Sequence, residues 1–161
     1  MRIAIADANI FIDLIYIELH AKLFELDLEL HTTLYVYEEL NIEQQNALSK
    51  FIKKSNLTIH TQEEFESIQK VEIRKGLSES DISILLMAAE LDAILLTGDN
   101  LLRKVSTLQK IEVHGIFWLM DNFLKERLIT KRKATQCLKS LMDYNKRLPQ
   151  EECDKRLAEW R

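Results

Sequence analysis

The sequence of 161 residues fits one domain of ordinary size and is long enough to bury a substantial core. Apolar residues make up 47% of the chain and charged residues 30%, a balance that excludes a disordered protein. The net charge of −4 excludes a histone-like protein that binds nucleic acid through overall positive charge. Any contact with nucleic acid must therefore depend on local basic patches or on bound cations.

Cysteine usage and hydropathy bear on the compartment. Cys137 and Cys153 have no metal-binding or redox spacing, which favours free thiols in a reducing environment. No apolar stretch approaches the roughly 18 residues of a membrane span, and no signal-peptide pattern is present. We therefore expect a cytoplasmic protein without a membrane segment.

The spacing of apolar residues predicts strands that alternate with helices. The predicted strands are 3–6, 33–37, 57–61, 93–96 and 111–115. The predicted helices are 10–21, 41–54, 61–76, 78–92 and 100–108, followed by a helical C-terminal part. This alternation is typical of an α/β fold with a central parallel sheet, in which right-handed crossovers bring the carboxyl ends of all strands to one edge.

Carboxylates come from four separate segments at that edge. Asp7 ends the first predicted strand, Glu38 and Glu39 end the second, and Asp99 follows the strand 93–96. Asp81 lies in the first turn of the helix that leads into that strand. Binding sites of open parallel sheets form outside the carboxyl ends of the strands. Each acid taken alone is more typical of a helix cap or a solvated side chain than of a site.

The four segments together favour a metal site. Like charges about 4 Å apart repel by about 4 kcal/mol at an effective dielectric near 20, so converging acids need a cation or raised pKa values. Oxygen-rich carboxylate sites suit Mg²⁺ or Mn²⁺. Such ions can activate water and stabilise the leaving oxygen in phosphodiester hydrolysis.

The motifs that contain these acids resemble those of a known family. They are IADANIFIDL, TTLYVYEEL, LSESDISILLMAAE and AILLTGDNLLRKVS, and the later segment VHGIFWLMDNFLKERLI agrees with them. In this order and spacing they look like the motifs of the PIN-domain family. Within that family they most resemble the motifs of VapC-type toxins and their relatives. The resemblance covers about residues 1–130 and, more loosely, the C-terminal helices.

The resemblance implies a fold and a site. The fold is a three-layer α/β/α sandwich around a parallel sheet, here as a single domain over 1–161 with a core of about 1–130 and C-terminal helices at 131–161. The implied site cleaves RNA with Mg²⁺ or Mn²⁺. Its four acids, both metal ligands and catalytic residues, fall on Asp7, Glu39, Asp81 and Asp99.

Two supporting residues are also implied. Asn9 matches the polar residue two positions after the first acid, and Thr97 matches the hydroxyl residue before the last acid. The family places a leucine after its second acid, and Leu40 follows Glu39, so the resemblance favours Glu39 over its neighbour Glu38. The third motif offers Glu79 beside Asp81, and the choice between these two acids stays open.

The resulting hypothesis is a metal-dependent endoribonuclease that forms the toxin half of a toxin–antitoxin pair. The expected partners are an RNA substrate, a small antitoxin protein and a second copy of the chain. The homodimer is expected from the resemblance and from apolar stripes in 115–127 and 134–143. The alternatives are a non-catalytic PIN-like module that binds RNA or protein, and a structure-specific DNA nuclease.

Several other residues have an ordinary structural explanation. Asp13 is expected on the solvated face of the first helix, because charged helix residues usually face water. His114 is expected to be structural. Phe117 and Trp118 are expected in a core or an interface rather than as base-stacking platforms.

Basic residues offer candidate phosphate contacts. Arg103 and Lys104 lie one turn after Asp99 and are the better placed candidates. The basic residues of the stretch 125–133 are more typical of a solvated junction between helices than of phosphate contacts.

Overall fold

The computed structural model describes residues 1–66 and 76–161. In this part of the chain, one parallel sheet of five strands has the order β3-β2-β1-β4-β5. The strands are β1 (Arg2–Ala6), β2 (Leu28–Thr33), β3 (Leu57–His60), β4 (Ile94–Leu96) and β5 (Val113–His114). Helices flank the sheet, so the predicted three-layer α/β/α fold is confirmed.

Ten helices lie in the described ranges. They are α1 (Ala8–Tyr16), α2 (His20–Leu23), α3 (Leu34–Glu39), α4 (Ile42–Lys53), α5 (Gln62–Glu66), α6 (Glu79–Glu90), α7 (Asn100–Leu108), α8 (Ile116–Lys125), α9 (Lys131–Tyr144) and α10 (Gln150–Glu159). None of the described helices is long and apolar enough to cross a membrane.

The central strand β1 is buried because it has a neighbour on each side. Ala4 pairs with Leu30 of β2 and with Ile94 of β4. Ile5 and Leu95 are fully buried in the core, and α6 packs across β1, β2 and β4. A short apolar strand without alternation is typical of such a position.

The strand order reverses beside β1. The chain runs from β1 outward through β2 to β3, and β4 then pairs with the opposite side of β1. In open α/β sheets, the crevice beyond the strand ends at such a switch point is where ligands bind. The residues that follow β1 and β4 are Asp7 and Thr97, so two of the predicted site residues lie at this point.

The second strand is the main difference from the sequence prediction. The prediction of a strand over 33–37 is wrong, because β2 ends at Thr33 and the next residues form α3. The hydroxyl of Thr33 caps α3 by accepting a hydrogen bond from the backbone N–H of Val36. Val36 and Leu40, four positions apart, are both buried, which is helical spacing. Glu38 and Glu39 therefore end a helix and not a strand.

Most other predicted elements agree with the structure. The predicted helix 100–108 matches α7, and the predicted box of Ser78 and Asp81 begins α6. Pro149 is the N-cap of α10. The predicted helix 61–76 begins as α5, and its continuation through residues 67–75 lies outside the described residues.

The C-terminal helices pack on the first helix. The rings of Tyr16 and Tyr144 stack with centroids 3.9 Å apart. The apolar stripes of α8 and α9, which include Leu119, Phe123 and Leu138, are buried inside this chain. These stripes are therefore used in the fold itself and do not argue for a homodimer.

Candidate active site

Asp7 is the buried centre of the candidate site. Its backbone N–H continues the β1–β4 pairing by donating to the carbonyl of Leu96 at 2.9 Å. Its side chain caps α1, where Oδ1 accepts a 2.7 Å hydrogen bond from the N–H of Ala8. Asp7 is only 4% exposed, although a cap alone needs no such burial.

The surroundings of Asp7 raise its pKa from the ordinary 3.8 to about 6. Burial is the largest cause, and the negative charges of Asp81 and Glu39 add to it. Hydrogen bonds from Thr97 and Ala8 lower the pKa and offset part of the increase. Two of the other three predicted acids are therefore close enough to act electrostatically on Asp7.

Thr97 connects Asp7 to the fourth acid. Its hydroxyl donates to Oδ2 of Asp7 at 2.8 Å and accepts from the backbone N–H of Asp99 at 3.1 Å. Thr97 is fully buried. The side chain of Asp99 caps α7 by accepting from the N–H of Leu102 at 2.8 Å. Asp99 is thus linked to Asp7 through its backbone N–H and Thr97, whereas its carboxylate is not among the groups that act on the pKa of Asp7.

Glu39 reaches the site from the end of α3. Its carboxylate accepts a hydrogen bond from the hydroxyl of Ser80, which lies in the first turn of α6. Glu39 also acts on the pKa of Asp7, whereas the adjacent Glu38 does not appear among the groups that do. The sequence analysis did not single out Ser80, because only the adjacent acid Asp81 matched the family pattern in that motif.

Asp81 enters from the same turn of α6. It forms the predicted capping box, in which Oδ2 accepts from the N–H of Ser78 at 3.1 Å and the Ser78 hydroxyl accepts from the N–H of Asp81. Asp81 also acts on the pKa of Asp7, and Glu79 does not appear among the groups that do.

The donor atoms at the site are carboxylate and hydroxyl oxygens, which is the chemistry that Mg²⁺ and Mn²⁺ prefer. Within residues 1–66 and 76–161, no group of three or more His, Cys, Asp or Glu side chains is arranged closely enough to hold a metal ion. Asp81 and Asp99 each hold one carboxylate oxygen toward their own helix through a cap hydrogen bond. The raised pKa of Asp7 still fits a cation, since both charged groups that act on it are negative.

A wide cleft opens at Asp99. It has a volume of about 1210 Å³ and is lined by Asn9 and Asp99 at the active-site end. Asn9 is exposed there, two positions after Asp7 in the chain. The other walls come from α7, α8, residues 144–149 and α10.

Arg103 lies on the α7 side of this cleft. Its guanidinium donates to the backbone carbonyl of Thr97 at 3.3 Å, directly behind the site. A Cβ atom at Gly115 would come within 2.9 Å of this guanidinium, so the glycine leaves the space that Arg103 occupies. Lys104, the other basic candidate, does not line the cleft.

Aromatic rings line the α8 side. His114 and Trp118 stack with centroids 4.2 Å apart and planes 11° from parallel. Both line the cleft, as does Phe117, whose ring lies under the guanidinium of Arg156. We expected His114 to be structural and Phe117 and Trp118 to lie in a core or an interface. The structure also places all three on the wall of the cleft. Because α8 also packs on the core, its apolar pattern alone could not reveal the cleft.

Asp13 differs from its sequence-based expectation. It is 7% exposed rather than solvated, and Oδ2 accepts a 3.0 Å hydrogen bond from Nδ2 of Asn145. Burial raises its pKa from 3.8 to about 6, and the hydrogen bond from Asn145 offsets part of the rise. No local signal marks this position, because Asn145 approaches only once α9 has packed on α1.

Comparisons with known proteins agree with this architecture. A solved structure, a domain of a functionally unknown protein from Methanocaldococcus jannaschii DSM 2661, is similar with a TM-score of 0.50 and 20% sequence identity. The match covers 72% of this chain and 91% of that one. At this identity the similarity concerns the fold alone. Among curated proteins, none matches significantly.

The family comparison is more specific. The family model DUF3368, described as a PIN domain, matches residues 3–161. This range includes every strand of the sheet except the first residue of β1, and all four acids at its carboxyl edge. The chain therefore belongs to the PIN-domain family.

Proposed function

We propose that this chain is a divalent-metal-dependent endoribonuclease that hydrolyses RNA phosphodiesters. PIN domains are generally nucleases and typically use divalent metal ions. The observation that carries the proposal is Asp7, a buried carboxylate at the switch point whose pKa is raised by burial and by the charges of Asp81 and Glu39. A bound cation relieves such repulsion and attracts phosphate to an otherwise negative site.

In this proposal Asp7, Glu39, Asp81 and Asp99 would hold Mg²⁺ or Mn²⁺. When bound, the cation supplies charge neutralisation at the phosphodiester and a lowered pKa of water. Thr97 orients the carboxylate of Asp7 through its hydroxyl.

Two further side chains have roles of their own. Ser80 orients Glu39 by donating to its carboxylate. Asn9, exposed at the cleft end, would face the substrate.

The direct test is cleavage of an end-labelled single-stranded RNA by the full chain, with millimolar Mg²⁺ or Mn²⁺ and with EDTA. We expect cleavage only with the metal. Asp99→Asn should lower the rate by orders of magnitude yet keep the fold, since Asn caps a helix about as well as Asp. Asp143→Asn, at an exposed position of α9, is the matched control and should cleave at the wild-type rate. A folded Asp99→Asn protein that cleaves as fast as wild type would contradict the proposal.

A non-catalytic PIN-like module is the second candidate. The observation in its favour is that three of the acids already cap helices and that the described residues show no assembled metal cage. Binding of RNA without cleavage at any metal concentration would support this module. Cleavage of DNA but not of RNA of the same sequence would instead support a structure-specific DNA nuclease.

The biological setting is also a proposal. The motif resemblance supports a cytoplasmic toxin that is neutralised by a small antitoxin protein and that forms a homodimer. A neighbouring gene for a small protein that binds this chain and stops its cleavage of RNA would support the pairing. Light scattering at tens of micromolar protein would test the dimer, and a monomer would contradict it.

A further inference from the structure

The cleft that begins at Asp99 extends well beyond the proposed site. Its volume of about 1210 Å³ exceeds the range of roughly 300–1,000 Å³ that is usual for small-molecule sites. It begins at Asn9 and Asp99 and extends along α8 to residues 144–149. A cleft of this size that starts at a proposed phosphodiester site suits a chain-like ligand.

The charges on the cleft fall into two groups. The guanidinium of Arg156 is paired with Asp121 at 2.9 Å and also with Glu152, so this group of three carries a net charge of −1 and offers no positive charge to a phosphate. Arg103 and the pair 146–147, a lysine and an arginine, form no ion pair within the described ranges. These free cations lie on the α7 wall and on the loop before α10, so positive charge is available along the cleft for phosphate groups.

The stacked rings supply a second kind of contact. His114 and Trp118 already lie nearly parallel at 4.2 Å, and both line the cleft. Nucleobases stack on such aromatic surfaces, and this needs bases that are not paired in a duplex.

We propose that this cleft binds a single-stranded segment of RNA beside the cleaved bond. A base stacks on the His114–Trp118 pair, and the backbone phosphates contact Arg103 and Arg147. The proposal rests on the proposed function, since it names the form of the substrate that the same site would accept. It also assigns a function to the C-terminal helices, because the loop between α9 and α10 forms one wall.

The loop between α9 and α10, which forms this wall, is held against α1. The buried carboxylate of Asp13 accepts from Nδ2 of Asn145, and Oδ1 of Asn145 accepts from the N–H of Arg147 at 3.0 Å. Asn145 therefore holds the backbone of Arg147 relative to α1, which begins directly after Asp7. Asp13 and Asn145 are positioning residues in this scheme and need not contact RNA.

The test is binding of a short fluorescein-labelled single-stranded RNA to the full chain in EDTA, followed by fluorescence anisotropy. Trp118→Leu should raise the Kd about tenfold, which is within the usual range for loss of one base–aromatic stack. Trp118→Phe should recover most of the affinity. RNA should quench the tryptophan emission of the wild type but not that of Trp118→Leu, because the remaining Trp160 is buried.

The charge contacts are tested by salt dependence. Arg147→Glu should weaken binding and reduce the slope of log Kd against log salt by about one or two phosphate contacts. Lys139→Glu makes the same change of charge at an exposed position of α9 outside the cleft, and should leave the slope unchanged. Both positions are exposed, so the fold of these variants should survive.

The outcomes separate this proposal from the proposed function. Trp118-dependent binding without metal-dependent cleavage would support the cleft and contradict the nuclease. Metal-dependent cleavage that is unchanged in Trp118→Leu and Arg147→Glu would overturn the cleft and leave the nuclease standing. Equal affinity for double-stranded RNA, or for single-stranded DNA of the same sequence, would overturn the assignment to single-stranded RNA.

Discussion

The hydroxyl of Thr97 donates a 2.8 Å hydrogen bond to Oδ2 of Asp7, a residue 90 positions earlier in the chain. The bond spans the gap between the ends of β1 and β4, where the strand order of the sheet reverses. It lowers the pKa of Asp7 against the effect of burial. Thr97 therefore helps to keep a buried carboxylate ionised at the one edge of the sheet where a ligand is expected.

Replacing Thr97 by valine should destabilise the protein and impair the site. The variant leaves Oδ2 of Asp7 buried without its donor, which typically costs about 1–3 kcal/mol of unfolding free energy. RNA cleavage at neutral pH should also fall, because less of Asp7 is ionised. Urea unfolding and cleavage rates measure the two effects. Thr97→Ser retains the hydroxyl, and if it behaves like Thr97→Val, the hydrogen bond is not the cause.

The buried carboxylate of Asp13 should make stability depend on pH. Its pKa is about 6 in the folded protein and about 3.8 in the unfolded chain, so between these values the folded state binds more protons. Stability therefore falls as the pH rises from about 4 to about 6. Above that range the ionised group costs about 3 kcal/mol, since one pKa unit corresponds to about 1.4 kcal/mol.

Asp13→Asn removes the cost of the buried charge. The amide oxygen of the new side chain can still accept the hydrogen bond from Nδ2 of Asn145. The variant should be more stable than wild type at pH 7.5, and the difference should disappear near pH 4. Urea unfolding at the two pH values measures it. Greater stability of the wild type at pH 7.5 would mean that the charged hydrogen bond outweighs the effect of burial.

The two adjacent glutamates should differ in their effect on cleavage. Glu39 accepts from Ser80 and acts on Asp7, so Glu39→Gln should abolish metal-dependent cleavage by removing a charge at nearly constant shape. Glu38→Gln should change the rate by less than about tenfold, equivalent to roughly 1.4 kcal/mol of barrier. If Glu38→Gln impairs cleavage more than Glu39→Gln does, the second acid of the site is Glu38.

Gly115→Ala should displace Arg103 without changing any charge. The new Cβ would lie 2.9 Å from the guanidinium, and the backbone φ of −124° suits alanine as well as glycine. The clash falls on the end of a flexible side chain, so the loss of stability should be about 1 kcal/mol, close to that of one hydrogen bond.

The affinity for single-stranded RNA should fall to that of Arg103→Ala. Asn46→Ala, at an exposed position of α4 outside the cleft, is the control and should bind RNA as the wild type does. Wild-type affinity in Gly115→Ala would show that the position of Arg103 is unimportant.

The sequence predicted the parts of the fold that depend on local signals. The capping box of Ser78 and Asp81 and the buried run before Thr97 both depend on a few adjacent residues, and both are present. The second strand was misplaced because Thr33–Tyr37 is rich in β-branched and aromatic residues. The cap at Thr33 and the burial of Val36 on a helix outweighed that preference.

The parts of the site that were missed depend on contacts between distant segments. Asp13 has the local pattern of a solvated helix residue until Asn145, 132 positions later, packs against it. Trp118 belongs to an apolar helix whose other face forms the core, so its cleft-facing position follows only from the loop 144–149. Such positions need the packed structure, because periodicity gives the buried face of a helix but not what borders it.

The central claim, that the acids at the switch point form a metal site, is tested most directly by thermal unfolding of the full chain with and without millimolar Mg²⁺ or Mn²⁺. A ligand that binds only the folded state raises its melting temperature. We expect a rise of several degrees in the wild type and in a control with Asp27→Asn and Asp143→Asn, two exposed positions with the same change of charge. We expect no rise with Asp7→Asn and Asp99→Asn combined. An equal rise in all three proteins would contradict the account, because the ions would then act elsewhere on the surface.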